Sequence, residues 1–485
     1  MDSLQENRTW TTIKRQPEDH IIQSKWVFKK KRDTDGNIKE YKARLVARGF
    51  QQIPGLEYNE VFSPVVRMKS MRTIFAIAAV RNWKVYHFDI SGAYLNGILK
   101  ERVIMEFPQT TLEDEMNQDL VCLLRKGLYG LKQGGKQWNE KLDGFLKKQK
   151  FIQSQSDPCV YFNDDRTVLL GIHVDDIGLT CEHDVQYKDF GKELSKEFKC
   201  KDLGEVSHIL SMKIDRREDG SLSISQEHLI EELLQQYDMS EAKAASTPLP
   251  SGLKLQIVSP NKNNLPYRQL VGSLMYLANT SRPDIAFSAS YLSQFNHCYD
   301  TSHWKAAKHV LRYLKNTKTL CLIYEAGSQT LVGHCDADWG SDATDRRSNG
   351  GYTFFIGQNL VSWSSRKQRT TALSSSEAEF VSMTEATKEA KWLKNLLVEL
   401  GFTDKKSSVT IHADNQGAIF MANNKVTSER SKHIDIKHFF IREEIERGSV
   451  NLEYIPSKEN IADTLTKITS IGNIKYFQAS CNLKV

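Results

Sequence analysis

The sequence predicts a multidomain protein of mixed α+β and α/β class, on three observations. Its 485 residues suffice for roughly three domains. Two stretches, Lys84–Ile90 and Thr167–Thr180, alternate as strands and carry three aspartates, Asp89, Asp175 and Asp176, at their ends or turn. Beyond a proline-rich break at 246–266 the pattern turns helical. From Leu331 it becomes strands, then one long helix, then a strand ending in Asp414.

Composition narrows the class. With 40% hydrophobic and 26% charged residues the chain reads as globular. Its longest apolar runs, such as Ile74–Val80, stop well short of a membrane span, and residues 1–20 are too polar for a signal peptide. None of the eight cysteines forms a CxxC zinc motif, so they read as reduced thiols of a cytoplasmic or nuclear protein. Between Lys25 and Arg48 nine basic residues face three acidic ones, a surplus as large as the whole chain's net +6. With Trp26, Phe28 and Tyr41 interleaved, this window reads as a nucleic-acid or phosphate contact; a solvated charged face is the plainer alternative.

Taken in order, residues 1–24 form a polar N-terminal flank. Trp26–Phe28 and Tyr41–Val46 bracket Asp33-Thr-Asp-Gly-Asn37, a hairpin signal that places the bases on a projecting ribbon. Helical periodicity covers Ser70–Val80 and Gln137–Phe151. Helices are expected near 184–198 and over Gln226–Tyr237, with short strands at 206–225 between them. Ser246–Pro266 holds four of eleven prolines and reads as a linker. Residues 267–318 are helical, most clearly His303–Lys315, and a long helix spans 376–400.

The paired aspartates are the sharpest chemical signal. Alone, Asp175-Asp176 also suits a polar hairpin turn. Adjacent carboxylates between apolar strands are costly without a positive charge, and a hard divalent cation supplies one. Three carboxylates on neighbouring strands can hold two magnesium ions about 4 Å apart, the arrangement that activates an attacking oxygen and neutralises a leaving phosphate.

Ordered motifs along nearly the whole chain carry a resemblance. They are Lys25-Trp-Val-Phe-Lys, Tyr41-Lys-Ala-Arg-Leu-Val-Ala-Arg-Gly-Phe50, Ala93-Tyr-Leu-Asn-Gly97 after Asp89, Leu128-Tyr-Gly-Leu-Lys-Gln133 and Val174-Asp-Asp176. Further on come Tyr267–Tyr276, Arg282-Pro-Asp284, Asp336-Ala-Asp-Trp339, Leu373-Ser-Ser-Ser-Glu-Ala-Glu379, Asp414-Asn-Gln416 and Lys432-His-Ile-Asp-Ile436. The chain resembles the reverse transcriptase–ribonuclease H segment of copia-type long-terminal-repeat retrotransposon Pol polyproteins. The resemblance implies a right-hand polymerase of fingers, palm and thumb over 25–245, whose palm is an antiparallel sheet with helices on one face. It implies a helical connection over 246–330, a ribonuclease H-like domain over 331–470 and a C-terminal tail at 471–485.

The resemblance also implies roles. Asp89, Asp175 and Asp176 match the polymerase metal ligands. Tyr94 matches the aromatic that crowds the sugar 2′ position, with a packed core aromatic as the alternative. Lys42 and Arg44 match fingers residues on the incoming triphosphate. Gln133 matches a glutamine near nucleotide and template, with a polar helix-start residue as the alternative. Asp336, Glu379, Asp414 and Asp463 match the ribonuclease H metal ligands, and Asn460 a supporting position. The implied cofactor is Mg2+, two per site, with Mn2+ as an alternative ion. The implied partners are an RNA template, a DNA primer, dNTPs and RNA–DNA hybrid, with no membrane; the oligomeric state stays open. The implied setting is cytoplasmic, within virus-like particles, or nuclear.

Three positions depart from the family pattern: His173 for a tyrosine, Ser91-Gly92 for a Lys-Thr pair, and the Gly134-Gly135-Lys136 loop. None removes a metal ligand. They leave open a degenerate, non-catalytic nucleic-acid-binding copy, or an active ribonuclease H beside an impaired polymerase. The chain begins at the reverse transcriptase, and without capsid, protease and integrase regions it is not expected to transpose alone. Glu377 and Glu379 compete for one metal position. Met383, Ala386, Ala390, Leu393, Leu397 and Leu400 form an apolar stripe, and four residues before Met383 stands Glu379, so Glu379 is expected to face the sheet and Glu377 to point toward solvent or back at the helix cap.

Overall fold

A computed structural model describes the chain except residues 33–37, 109–118, 259–264, 343 and 425–434. The expected turn Asp33–Asn37 and the start of the Lys432–Ile436 motif lie outside the described residues.

The first region holds α1 (Asp2–Glu6), β1 (Trp10–Lys14), β2 (Ile21–Ile22) and a ribbon of β3 (Ser24–Arg32) and β4 (Ile38–Ala47). It is followed by α2 (Met68–Val80), β5 (Lys84–Ile90), β6 (Ile104–Met105) and β7 (Leu120–Leu124). Residues 1–24 are not a loose flank: β1 and β2 join β7 and β6 in a sheet of order β1-β7-β6-β2. Apolar burial drives this, since Ile22 is packed into one cluster with Leu45, Met105 and Cys122. In the ribbon Trp26 pairs with Leu45, Phe28 with Ala43 and Lys30 with Tyr41, while Val27 pairs with Arg44 and Lys29 with Lys42. Because strand side chains alternate, one face carries Trp26, Phe28 and Tyr41 and the other Lys29, Lys42 and Arg44. Two like charges directly opposed are unfavourable unless an anion lies between them.

The palm contains α3 (Gly134–Lys148), β8 (Ile152–Gln153), β9 (Val160–Phe162), β10 (Val168–His173), β11 (Asp176–Cys181), α4 (Asp184–Glu197) and β12 (Cys200–Glu205). Its sheet is antiparallel in the order β12-β5-β11-β10-β9-β8. Helices cover both faces rather than the expected one. Phe88, Leu170, Ile172 and Leu179 pack with Trp138 and Leu142 of α3 and Phe190 and Leu194 of α4. On the other face the paired Gly171 and Gly178 lie under Met71 of α2, so close that a Cβ at Gly171 would stand 2.4 Å from its sulfur. The run Val168-Leu169-Leu170 is buried without alternation, the signature of a strand covered on both sides.

Next come β13 (His208–Ile209), β14 (Met212–Arg216), β15 (Leu222–Ser225), α5 (Glu227–Gln236), α6 (Tyr267–Thr280), α7 (Ala286–Ser293), α8 (Thr301–Asn316) and β16 (Cys321–Tyr324). The C-terminal half holds β17 (Leu331–Ala337), β18 (Asn349–Ile356), β19 (Asn359–Lys367), α9 (Ser375–Glu399), β20 (Val409–Ala413), α10 (Gln416–Asn423), α11 (Asp435–Glu446) and β21 (Val450–Tyr454), and the chain finishes in α12 (Ile471–Ser480) and β22 (Leu483–Lys484). Its sheet runs β19-β18-β17-β20-β21, antiparallel from β19 to β17 and parallel from β17 to β21. The last residues are no tail. β22 pairs with β16 and completes the sheet β13-β14-β15-β16-β22, with Phe477, Cys481 and Leu483 buried. Gln478 of α12 donates to Tyr313, whose hydroxyl donates to Asp284, the partner of the buried Arg282.

The two halves share a polar seam on α2. Lys69 pairs with Glu389 of α9 at 2.6 Å, and its ammonium lies over Trp392. Arg72 stacks on Trp363 and donates to the carbonyls of Val361, Asn279 and Thr280. Burial pulls Arg72 down to about 10. Three carbonyl acceptors and a ring face replace the water such a buried guanidinium loses.

Candidate active sites

Asp89 stands next to last in β5 and pairs directly with Asp176, the first residue of β11. The turn before Asp176 is Val174-Asp175, and Val174 has φ of 54°. A β-branched residue in the left-handed region is strained, at roughly 1–3 kcal/mol. Two hydrogen bonds hold it: Trp138 Nε1 donates to the Val174 carbonyl at 2.7 Å, and the Ile90 amide donates to that of Asp175 at 2.8 Å. The tight turn places Asp175 in a cavity of about 370 Å³ with Asp89, Lys42, Arg44 and Tyr129. Burial, followed by the charges of Asp176 and Asp89, raises the Asp175 carboxyl; its backbone hydrogen bond and Arg44 oppose the rise.

Asp176 is turned aside. Its Oδ1 lies 2.8 Å from His87 Nε2, an N–H donating to a carboxylate. The three palm carboxylates therefore share one strand end without converging on a point. Tyr94 is half-buried, its ring centroid 4.8 Å from that of Tyr129 and tilted 75° to it. Lys42 and Arg44 sit on the ribbon face that looks into the cavity. Gln133 does not reach the cavity. It is 1% exposed at the start of α3, accepts from Gln52 Nε2 and donates to the Glu57 carbonyl, so its geometry is that of the polar helix-start residue.

The second site is built differently. Asp336 is on β17, Glu379 on the first turns of α9, and Asp414 just past β20. Their ligand oxygens all lie within 4.8 Å of one another, the one such set of three or more acidic, His or Cys residues among the described residues. Asp336 is 4% and Glu379 6% exposed. Burial, then the neighbouring carboxylates, pushes Glu379 well above the ordinary carboxylate range; burial does the same to Asp336 against a Thr466 hydrogen bond. Glu379 Oε2 is buried and has no hydrogen-bond partner among the described residues. An orphaned anionic oxygen among repelling carboxylates is costly, and a divalent cation satisfies all three at once. Thr466 Oγ1 donates to Asp336 Oδ2 at 2.6 Å, and Asn460 donates to the Cys335 carbonyl at 2.9 Å. Asp463 stands apart from the cluster, paired with Lys467 at 2.5 Å, though its charge still raises Asp336.

The helix cap separates the two glutamates. Ser374 caps α9 by accepting from the Glu377 amide, and Glu377 Oε2 reaches back to the Leu373 amide at 2.7 Å. Ser382, one turn past Glu379, donates to the Asp336 carbonyl and so fixes α9 against β17. His87, Tyr129 and Thr466 were not singled out from sequence. His87 was within reach, because residues two apart on a strand share a face and it precedes Asp89 by two. Tyr129 and Thr466 depend on contacts between distant segments.

The reverse transcriptase (RNA-dependent DNA polymerase) family matches residues 7–251. The chain is 40% identical over 480 residues to the retrovirus-related Pol polyprotein from transposon TNT 1-94 of Nicotiana tabacum, covering 96% of this chain and 36% of that protein. It is 37% identical over 468 residues to the retrovirus-related Pol polyprotein from transposon RE1 of Arabidopsis thaliana, covering 95% and 32%. The chain thus spans about a third of the length of these relatives. A foamy viral protease-reverse transcriptase solved with dsDNA is similar at 12% identity and a TM-score of 0.47, over 94% of this chain and 81% of that one. On the match over residues 7–251 and these relatives, the chain belongs to the reverse transcriptase family of retrotransposon Pol polyproteins.

Proposed function

We propose that the chain is an RNA-directed DNA polymerase that copies retrotransposon RNA, fused to a ribonuclease H that cuts the RNA strand of the resulting hybrid. The observation that carries this reading is the presence of two separate carboxylate sites, one at a palm hairpin under a basic ribbon and one at the edge of a second sheet. In the palm, Asp89 and Asp175 would hold Mg2+ beside the primer end while Lys42 and Arg44 bind the triphosphate by charge-assisted hydrogen bonds. Tyr94 would crowd the sugar 2′ position. In the second site Asp336, Glu379 and Asp414 would hold Mg2+, with Asp463 at its margin. Bound divalent ions would lower the pKa of the attacking oxygen and neutralise the leaving one. The chain's own residues set orientation: Trp138 fixes the hairpin turn, and Thr466 and Ser382 fix Asp336.

One observation favours a second reading, an active ribonuclease H beside an impaired polymerase: Asp176 is bonded to His87, and the palm carboxylates do not draw together as Asp336, Glu379 and Asp414 do. A primed RNA template with dNTPs and Mg2+ separates the readings. Extended primer together with hybrid cleavage supports the first, cleavage alone supports the second, and neither activity in folded protein points to a non-catalytic copy.

A further inference from the structure

Tyr129 lines the palm cavity beside Arg44 and also contacts Tyr94 and the root of the ribbon, which lie outside that lining. The Arg44 guanidinium lies over its ring, 5.1 Å from the centroid. Its ring packs edge-to-face with that of Tyr94, the centroids 4.8 Å apart. Its backbone forms a bridge with Val46, and its carbonyl accepts from the Ala47 amide at 2.8 Å. The same tyrosine therefore touches the proposed triphosphate ligand, the proposed sugar gate and the root of the ribbon.

The fit at that root is unusually close. Gly130 follows with φ of 92°, and a Cβ there would stand 2.1 Å from the Ala47 carbonyl oxygen. A Cβ at Gly49 would stand 2.0 Å from the Gly130 carbonyl oxygen. No side chain fits at either position without moving the ribbon, so two glycines seat β4 on the loop that carries Tyr129. Arg44 Nε is buried with no acceptor among the described residues. The guanidinium is thus held by both the ring face and the hydroxyl of Tyr129.

We propose that Tyr129 is a positioning and specificity-determining residue for nucleotide selection: it holds Arg44 for the triphosphate and backs Tyr94 against the sugar. The inference rests on the polymerase reading above. Its physical content is a mechanical link. Arg44 and Tyr94 pack on the same ring, so phosphate binding and the width of the sugar pocket are coupled through one side chain. Loss of the ring should therefore weaken binding of any nucleotide and also blur the distinction between sugars, two effects that a purely structural role would not join.

The test is equilibrium binding of dTTP and UTP to the full chain on an RNA template with a dideoxy-terminated primer, so that no chemistry intervenes. Tyr129→Leu is expected to weaken dTTP binding about tenfold, the scale of one desolvated ring–cation contact, and to shrink the dTTP-to-UTP preference. Tyr129→Phe, which keeps the ring but not the hydroxyl bonded to Arg44, is expected to retain the sugar preference and most of the affinity. Tyr129→Met provides the same comparison should the leucine variant not fold, which a thermal melt reads. Wild-type protein that binds dTTP, with ring-less variants of unchanged affinity and sugar preference, would overturn the inference while leaving the polymerase reading intact. Weaker dTTP binding at unchanged sugar preference would overturn the coupling. Wild-type protein that binds the primed template but no dTTP would overturn the polymerase reading and this inference with it.

Discussion

The two carboxylate sites are opposites in construction. In the C-terminal half Asp336, Glu379 and Asp414 come from two strands and a helix, are packed within 4.8 Å, and leave one buried oxygen without a partner among the described residues. In the palm Asp89, Asp175 and Asp176 come from one hairpin and its neighbour, and Asp176 is already spoken for by His87. The first is a closed cluster that repels itself; the second is open and partly satisfied. The physical lesson is that a closed site stores its need for a cation in the fold, whereas an open one can wait for substrate phosphates to complete it.

The largest effects should come from removing one carboxylate at a time. Glu379→Gln is expected to abolish hybrid cleavage, at least about a hundredfold by analogy with loss of a single charge-stabilising group, while primer extension continues. Asp175→Asn is expected to do the reverse on the same scale. Assaying both activities on both proteins sharpens the contrast; a variant that loses both while its melt is unchanged would break it.

Stability should separate the sites next. Burial raises Glu379 and Asp336 above their ordinary values of 4.5 and 3.8. In ion-free protein the unfolded chain therefore sheds these protons first, and folding stability falls as pH rises above those values toward the raised folded ones. We expect the melting temperature in EDTA to drop between pH 5 and 7 by an amount equivalent to about 1–3 kcal/mol. Mg2+ or Glu379→Gln should flatten that drop, and a flat profile in EDTA would argue against the crowded cluster. On the shared seam, Arg72→Met should cost about 2–4 kcal/mol, because it abandons three buried carbonyls that the guanidinium now satisfies. The smallest effect is Glu377→Gln, expected to cost no more than about 1 kcal/mol as a weakened helix cap and to leave cleavage largely intact; substantial loss of cleavage would transfer the metal role to Glu377.

What could be read from the sequence follows the same division between local and distant. Periodicity alone located Lys84–Ile90 as a strand, and the helix expected over 376–400 is α9 at Ser375–Glu399. The choice of Glu379 over Glu377 as the one facing the sheet rests on spacing along one helix; of the two places that spacing left for Glu377, the bond to Leu373 and the cap at Ser374 hold it at the helix start, buried rather than facing solvent. Features made between distant segments were not legible. Gln133 reads as a nucleotide contact from its motif, yet Gln52 and Glu57, some eighty residues earlier in the chain, draw it into the interior. The C-terminal residues look like a tail because nothing in them announces that β22 will pair with β16. The two-sided helix cover of the palm departs from the one-faced arrangement the resemblance implies, and it explains why Val168, Leu169 and Leu170 are all buried although the stretch reads as alternating.

We propose that the chain holds two independent cation sites, one preformed and one completed by substrate. Electron paramagnetic resonance titration of Mn2+ into nucleic-acid-free protein tests it most directly. The account predicts that wild-type protein binds Mn2+ tightly, that Glu379→Gln loses this binding, and that Asp175→Asn retains it until primer–template and dNTP are added. Tight Mn2+ binding that survives Glu379→Gln but disappears with Asp175→Asn would contradict it.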